Sequence, residues 1–273
     1  TDEFRLIVGD WRSAGIVAPW FGRFVFLDEI GVAFERAITR WVGVPSMSAL
    51  PRRLIESAGD RIAVRNSFRA ERLELTCDGR FDPSRRSGAV ISRESARPLW
   101  RIHGTNSRGA AEALGPFSGV ILAMPAPQAS RIIAASRAHS SVEMLQQLSG
   151  ELGRLSCRSA WVTMLAFESR VPIDADVISV RTPGVITRAV RESGKPGRRD
   201  SGDGSVATEP DRWVVTSTDE WAATRLDEPR ERIAVELERA FRQLVRSLAR
   251  SNGAPAPDAP RTMLAEAHRW SLA

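Results

Sequence analysis

The 273 residues are 42% apolar and 26% charged, the composition of a water-soluble globular chain with material for one large or two ordinary domains. A formal net charge of +6 invites a nucleic-acid partner, but Lys195 is the only lysine among 39 basic residues and the arginines are scattered among 33 acids. No basic stripe interleaved with aromatics is present, and no apolar run approaches the roughly 20 residues of a membrane span, so neither nucleic acid nor a bilayer is expected as a partner.

Phe4, Ile7, Val8 and Trp11 fall at helical spacing with Gly15 as a C-terminal cap, and an extended run follows from Ile16 to Leu27. Ser48 is placed to cap a second helix, with Pro51 in its first turn and Gly59 at its end. Met47 and Ser48 read either as a cofactor-facing loop or simply as that helix start, and the local pattern favours the second. From Arg61 to Ile102 the pattern turns strand-like at Ile62 and Val64, at Phe68, Leu73 and Leu75, at 89–91 and at 99–102, with turns at Asp78-Gly79 and Pro83-Ser84. This is an antiparallel meander. The run Val120-Ile-Leu-Ala-Met124, apolar throughout and stopped by Pro125 and Pro127, then reads as a central parallel strand of a dinucleotide-binding fold, with any ligand at its carboxyl end.

Helices are expected at 127–137 and 140–150, and strands at 160–167, 177–180, 185–190 and 213–218. The longest helix spans Pro229 to Arg250 with Ile233, Leu237, Ala240, Phe241, Leu244 and Leu248 on one face, and its arginines alternate with glutamates as on a solvated surface. A Pro/Ala linker at 254–260 leads to a last extended stretch, Thr262 to Trp270. Cys77 and Cys157 stand alone, which fits buried thiols in a reducing, cytoplasmic setting. His103, His139 and His268 are too dispersed for a zinc site.

The stretch Gly202-Asp-Gly-Ser-Val-Ala207 has the letters of a dinucleotide fingerprint, but it follows Arg198-Arg199-Asp200 and runs into Thr208-Glu-Pro instead of linking a strand to a helix. It is a loop. Arg188, Arg191, Lys195 and Arg198 lie on and just after one expected strand, where they could hold the phosphates or carboxylate of an anionic substrate, or simply face water. Some of the eight tryptophans could line a flat ligand, although the core is their usual place.

Several stretches, in order along the whole chain, resemble the bacterial renalase-like proteins of the flavin-dependent amine oxidase superfamily. Gly15-Ile-Val-Ala-Pro-Trp20 with Gly22-Arg23 is similar to the segment after that family's first flavin-contacting turns. Val44-Pro-Ser-Met-Ser-Ala-Leu50 resembles V-P-G-M-x-A-L, Val120 to Ala129 resembles V-V-L-A-x-P-A-P-Q-A, and Met164-Leu-Ala-Phe167 resembles M-L-A-F. Ser193-Gly-Lys-Pro-Gly-Arg198 resembles S-S-K-P-G-R, Trp213-Val214 with Glu220-Trp221 resembles W-V…E-W, and His268-Arg-Trp270 resembles H-R-W. Ser46 departs from the family's glycine, Thr216 from a common histidine, and Ser271-Leu272 from R-Y.

The resemblance implies a mixed α/β fold: part of an FAD- or NAD(P)-binding Rossmann-like domain joined to a substrate domain built on an antiparallel sheet. Residues 1–43 and 136–273 would form the substrate domain and 44–135 the FAD-binding segment with its meander. The family's GxGxxG and closing G-D-W segments are not in this sequence, which suggests the interior of a longer flavoenzyme, as does the missing initiator methionine. By the same analogy FAD would meet Met47, Phe68, Ala123, Met124, Pro125, Pro127 and Gln128. A small-molecule substrate, with a reduced nicotinamide dinucleotide as the candidate the family suggests, would meet Arg188, Lys195, Arg198, Trp213 and Trp270. The implied reaction is hydride transfer from substrate to FAD, with O2 as final acceptor. An amine or protoporphyrinogen-type oxidase is the enzymatic alternative, and a flavin-free binding domain the non-enzymatic one.

Overall fold

The structure is a computed structural model that describes residues 1–34, 39–77, 98–138, 142–198, 209–251 and 258–270. The chain forms two compact units, Thr1–Ile62 with Ser159–Ser271, and Ala63–Arg158. Both are mixtures of helix and sheet.

Helix α1 (Asp2–Ser13) starts where the Thr1 hydroxyl accepts the Phe4 amide, and it stops before Gly15, whose φ of 71° is one that glycine adopts freely. The extended run beyond it is broken at Phe21–Arg23. Strand β1 (Val17–Trp20) pairs antiparallel with β4 (Arg40–Gly43), whereas β2 (Phe24–Leu27) leaves for a larger sheet and carries β3 (Val32–Phe34) on its edge. Helix α2 (Ala49–Ala58) begins and ends where Ser48 and Gly59 predict, although the Ser48 hydroxyl bonds to Ser46 at 2.6 Å and not to the helix.

In the second unit β5 (Arg69–Cys77), β6 (Pro98–Thr105) and β7 (Ala111–Phe117) form an antiparallel meander. Helix α3 (Ala126–Ala134) leads into the short strand β8 (Arg137–Ala138), which pairs parallel with β5, giving the order β7-β6-β5-β8. Helix α4 (Val142–Gly153) lies on α3, with Ser130 and Ser149 donating reciprocally to each other's carbonyls at 2.8 and 3.1 Å. Leu75, Ile133 and Leu145 form a small core.

Two expected strands are not strands. Val120–Met124 is irregular chain entering α3: Leu122 packs on the core, but Ile121 is 92% exposed. An apolar run becomes a central strand only if neighbours lie on both sides, and among the described residues no strand pairs with it. The third meander strand is Ala111–Phe117, an edge strand in which Pro116 is tolerated. Ile62 and Val64 are likewise irregular and half exposed. The expected strand at 89–91, the turns at 78–79 and 83–84, His139, the linker at 254–257 and the loop beyond Arg198 as far as residue 208 lie outside the described residues.

Returning to the first unit, β9 (Ala160–Phe167), β10 (Val177–Val180), β11 (Ile186–Arg191), β12 (Asp211–Ser217) and β13 (Thr262–Trp270) complete a seven-stranded sheet of order β13-β9-β12-β11-β10-β2-β3. It is antiparallel except where β2 and β10 run together. The three strands expected to form one sheet, at 160–167, 185–190 and 213–218, are consecutive neighbours in it. In β12 every second residue is buried, the period of two expected for a strand with one face on a core. After the short helix α5 (Asp219–Ala223), the long helix α6 (Arg230–Ser251) covers that face. Ile233, Leu237, Phe241 and Val245 are fully buried against the sheet, where Phe241 stacks on Phe167 and meets Trp213 at 5.0 Å. Each such side chain contributes about 1.5–3 kcal/mol by leaving water. Among the described residues no helix is long and apolar enough to cross a membrane.

Candidate functional site

The loop after β11 is fixed from both sides. The Glu192 amide donates to the Arg212 carbonyl at 2.7 Å, and two successive turns bring the Lys195 amide to the Glu192 carbonyl at 3.1 Å and the Arg198 amide to the Lys195 carbonyl at 3.3 Å. Two glycines make this path possible. A Cβ on Gly194 would lie 2.7 Å from Asp176 Oδ1, and Gly197 has a φ of 70° with Val44 Cγ1 2.7 Å from where a Cβ would stand. The Trp20 indole Nε1 donates to the Gly194 carbonyl at 3.0 Å, tying the loop to the end of β1.

Beneath the loop lies a buried ionic cluster. Arg191 is fully buried; its Nη2 donates to the carbonyls of Val171 at 2.9 Å and Ile173 at 3.3 Å, and its Nη1 donates to Asp176 Oδ1 at 3.3 Å. Its Nε lies 3.2 Å from Asp211 Oδ2 without the alignment of a hydrogen bond, and its guanidinium sits 4.7 Å over the Trp213 ring. Burial pushes the Arg191 guanidinium below its ordinary range, against the pull of the Asp211 and Asp176 carboxylates. Asp211 also accepts the Ser193 hydroxyl, the Val171 amide at 2.9 Å and the Trp213 Nε1 at 3.0 Å. The cluster therefore sets where Ser193, and with it the loop, can sit.

Above the cluster is a cavity of about 600 Å³ between Pro19–Gly22 and Ser193–Gly197, with Asp176 in its wall. Phe21 stands at its rim, 82% exposed, while Trp20 is buried on Val42 and Val177. Lys195 lines the cavity with its ammonium 5.5 Å above the Trp20 ring and paired to Glu192. Arg198 Nε reaches the same Glu192 carboxylate at 3.9 Å, and its Nη1 donates to the Gly43 carbonyl at 3.1 Å. The result is an open hollow with an aromatic wall and a held cation. Such a space can bind and orient a flat ligand.

The structure brings Lys195 and Arg198 together at one carboxylate but separates the other residues expected at a substrate. Arg191 belongs to the buried cluster. Arg188 is exposed on β11, in register with Ser179 and Thr216, and does not line the cavity. Trp213 is 1% exposed between Phe241 and Arg191, so it serves the core and cannot act as a ligand wall. Trp270 is 61% exposed at the end of the edge strand β13. Trp20, Phe21 and Asp176 also line the cavity and Glu192 pairs with its lysine, roles that sequence patterning does not assign; the local signals are the family-like stretch ending at Trp20 and the adjacent aromatic pair Trp20-Phe21 before Gly22.

Of the residues expected at FAD, Met47 belongs to the first unit, where its sulfur accepts the Gly43 amide at 3.2 Å and its side chain is 56% exposed. Phe68 is half-buried just before β5, its ring Cζ 2.8 Å from where a Cβ on Gly104 would stand. Ala123 is exposed, and Met124, Pro125, Pro127 and Gln128 are half-buried around the start of α3. There the Gln128 and Ala129 amides already donate to the Pro125 carbonyl at 2.9 and 3.0 Å, and Pro127 has no amide hydrogen. The residues around α3 offer apolar contacts of the kind a flavin takes. They carry no charge and few open donors for its pyrophosphate, which would need groups beyond them.

Comparison with protein-family models gives no match, and neither does comparison with curated proteins. Among solved structures, the chain is similar to a double mutant of putrescine oxidase made in a redesign of its cofactor binding, at 14% identity and a TM-score of 0.43 over 88% of this chain. The chain spans 40% of the length of that structure.

Proposed function

We propose that this chain is a section of an FAD-dependent oxidoreductase in which the Trp20–Lys195 cavity receives the reduced substrate. The observation that carries the reading is that the Ser193–Arg198 loop, one of the stretches resembling the renalase-like proteins, forms a wall of a cavity holding a fixed cation beside an aromatic rim. The substrate expected there is a dihydronicotinamide isomer. FAD, when bound, would supply the hydride acceptor, with O2 as the final electron acceptor and H2O2 as the product.

A dihydropyridine gives up hydride without prior loss of a proton, so the protein needs to hold and orient the ring more than it needs an acid and a base. That matches a cavity whose two lining ionic groups are already paired, Lys195 with Glu192 and Asp176 with Arg191. Lys195, set over the Trp20 ring, would position the polar end of the substrate, and Phe21 would cover the ring at the rim. The Asp176 wall favours a second reading, an amine-type oxidase with a cationic substrate. Oxygen uptake and peroxide release by the FAD-loaded protein containing this chain separate the two. Turnover of dihydronicotinamides but not amines supports the first, the reverse supports the second, and turnover of neither with flavin demonstrably bound refutes both.

A further inference from the structure

The geometry points to Glu192 as the resident partner of Lys195, the cation that lines the cavity, a carboxylate from which an aromatic carboxylate ligand must win Lys195 and that thereby sets the charge selectivity of the site. The inference rests on reading the Trp20–Lys195 cavity as the ligand site. Two cations, Lys195 and Arg198, converge on Glu192, and both are more buried than it is: their side chains are 16% and 15% exposed, against 28% for the glutamate.

The cations are also held by contacts that Glu192 does not provide. Lys195 lies over the Trp20 ring, and Arg198 donates to the Gly43 carbonyl. The Glu192 main chain is anchored separately through its amide to Arg212. Its carboxylate can therefore turn toward water while the cations stay in place, and a ligand carboxylate arriving at Lys195 restores the charge balance it leaves. A neutral ring needs no such exchange. In wild type the anion must compete with an internal carboxylate at high effective concentration, while a neutral analogue does not.

The test uses nicotinate and nicotinamide, which differ by one charge and little in shape, titrated into the purified protein containing this chain while tryptophan fluorescence is recorded. Circular dichroism and thermal melting verify the fold of each variant. Glu192→Gln should bind nicotinate about tenfold tighter than wild type and nicotinamide within about twofold of it. Adding Lys195→Gln should remove the gain. Equal nicotinate affinity in wild type and Glu192→Gln, or an equal gain for both ligands, overturns the inference while leaving the cavity as a binding site. Binding of neither ligand by any variant overturns the inference together with the site. Should Glu192→Gln fail to fold, Glu192→Ala replaces it; Lys195→Gln alone must then weaken nicotinate and spare nicotinamide, and equal loss of both counts against the inference.

Discussion

Replacing Asp211 by asparagine keeps the shape of the side chain and removes one charge from the buried cluster. Arg191 would keep Asp176 at 3.3 Å as its counter-charge, but the Asp176 side chain is 18% exposed whereas Asp211 is 4% exposed, so the compensation is partial. Breaking a buried ion pair from one side costs about 3–5 kcal/mol. The asparagine amide also presents a donor toward the Val171 amide, the Trp213 indole or the Ser193 hydroxyl, all of which now donate to Asp211, and an unmet buried donor costs roughly 1–3 kcal/mol. With Asp176 offsetting part of this, Asp211→Asn should destabilise the first unit by about 3–5 kcal/mol. Arg191→Met in the same background removes the orphaned charge, so the double variant should be less destabilised than the sum of the singles, by about 1–3 kcal/mol. Urea unfolding followed by tryptophan fluorescence measures both quantities. A loss under about 0.5 kcal/mol for Asp211→Asn, or additive singles, would refute the claim that this cluster holds the loop in place.

Gly194→Ala, which directs a methyl at Asp176 Oδ1, should displace the loop and weaken nicotinamide binding at least about fivefold by fluorescence titration, at a stability cost of about 1–3 kcal/mol. Phe241→Ala opens a cavity between Phe167 and Trp213 and should cost about 3–5 kcal/mol in denaturant unfolding; a loss under 1 would contradict the assigned core. Ile121→Asn should leave stability within about 0.5 kcal/mol, since that side chain faces solvent, whereas a buried strand would lose several.

Much of the first unit is legible in the sequence because one rule at a time decides it. The seven-residue alternation of β12 and the helical spacing from Ile233 to Leu248 each announce a buried face, and the structure puts those faces together. Periodicity fails where pairing partners decide. Val120–Met124 has the composition of a central strand but pairs with no strand among the described residues, while Ala111–Phe117 is a strand that Gly115-Pro116 disguises. The site is the least legible part. Trp20 and Gly194 stand 174 positions apart, and the order of seven strands, not any local pattern, brings them within hydrogen-bonding distance. The cations also divide by a tertiary fact. Lys195 lines the cavity and Arg198 reaches the Gly43 carbonyl, while Arg191, four residues before Lys195, is committed to two aspartates.

The most direct test of the central claim follows the Trp20 indole N–H by NMR while nicotinamide is added to the ¹⁵N-labelled chain, with Trp20→Phe supplying the assignment. That proton is bonded to the Gly194 carbonyl in the cavity wall, whereas the Trp161 indole donates to the Arg225 carbonyl and the Trp213 indole to Asp211. A ligand in the cavity should move the Trp20 signal saturably and leave the other two in place. A Trp20 signal unmoved at saturating nicotinamide would contradict the assignment of this cavity as the substrate site.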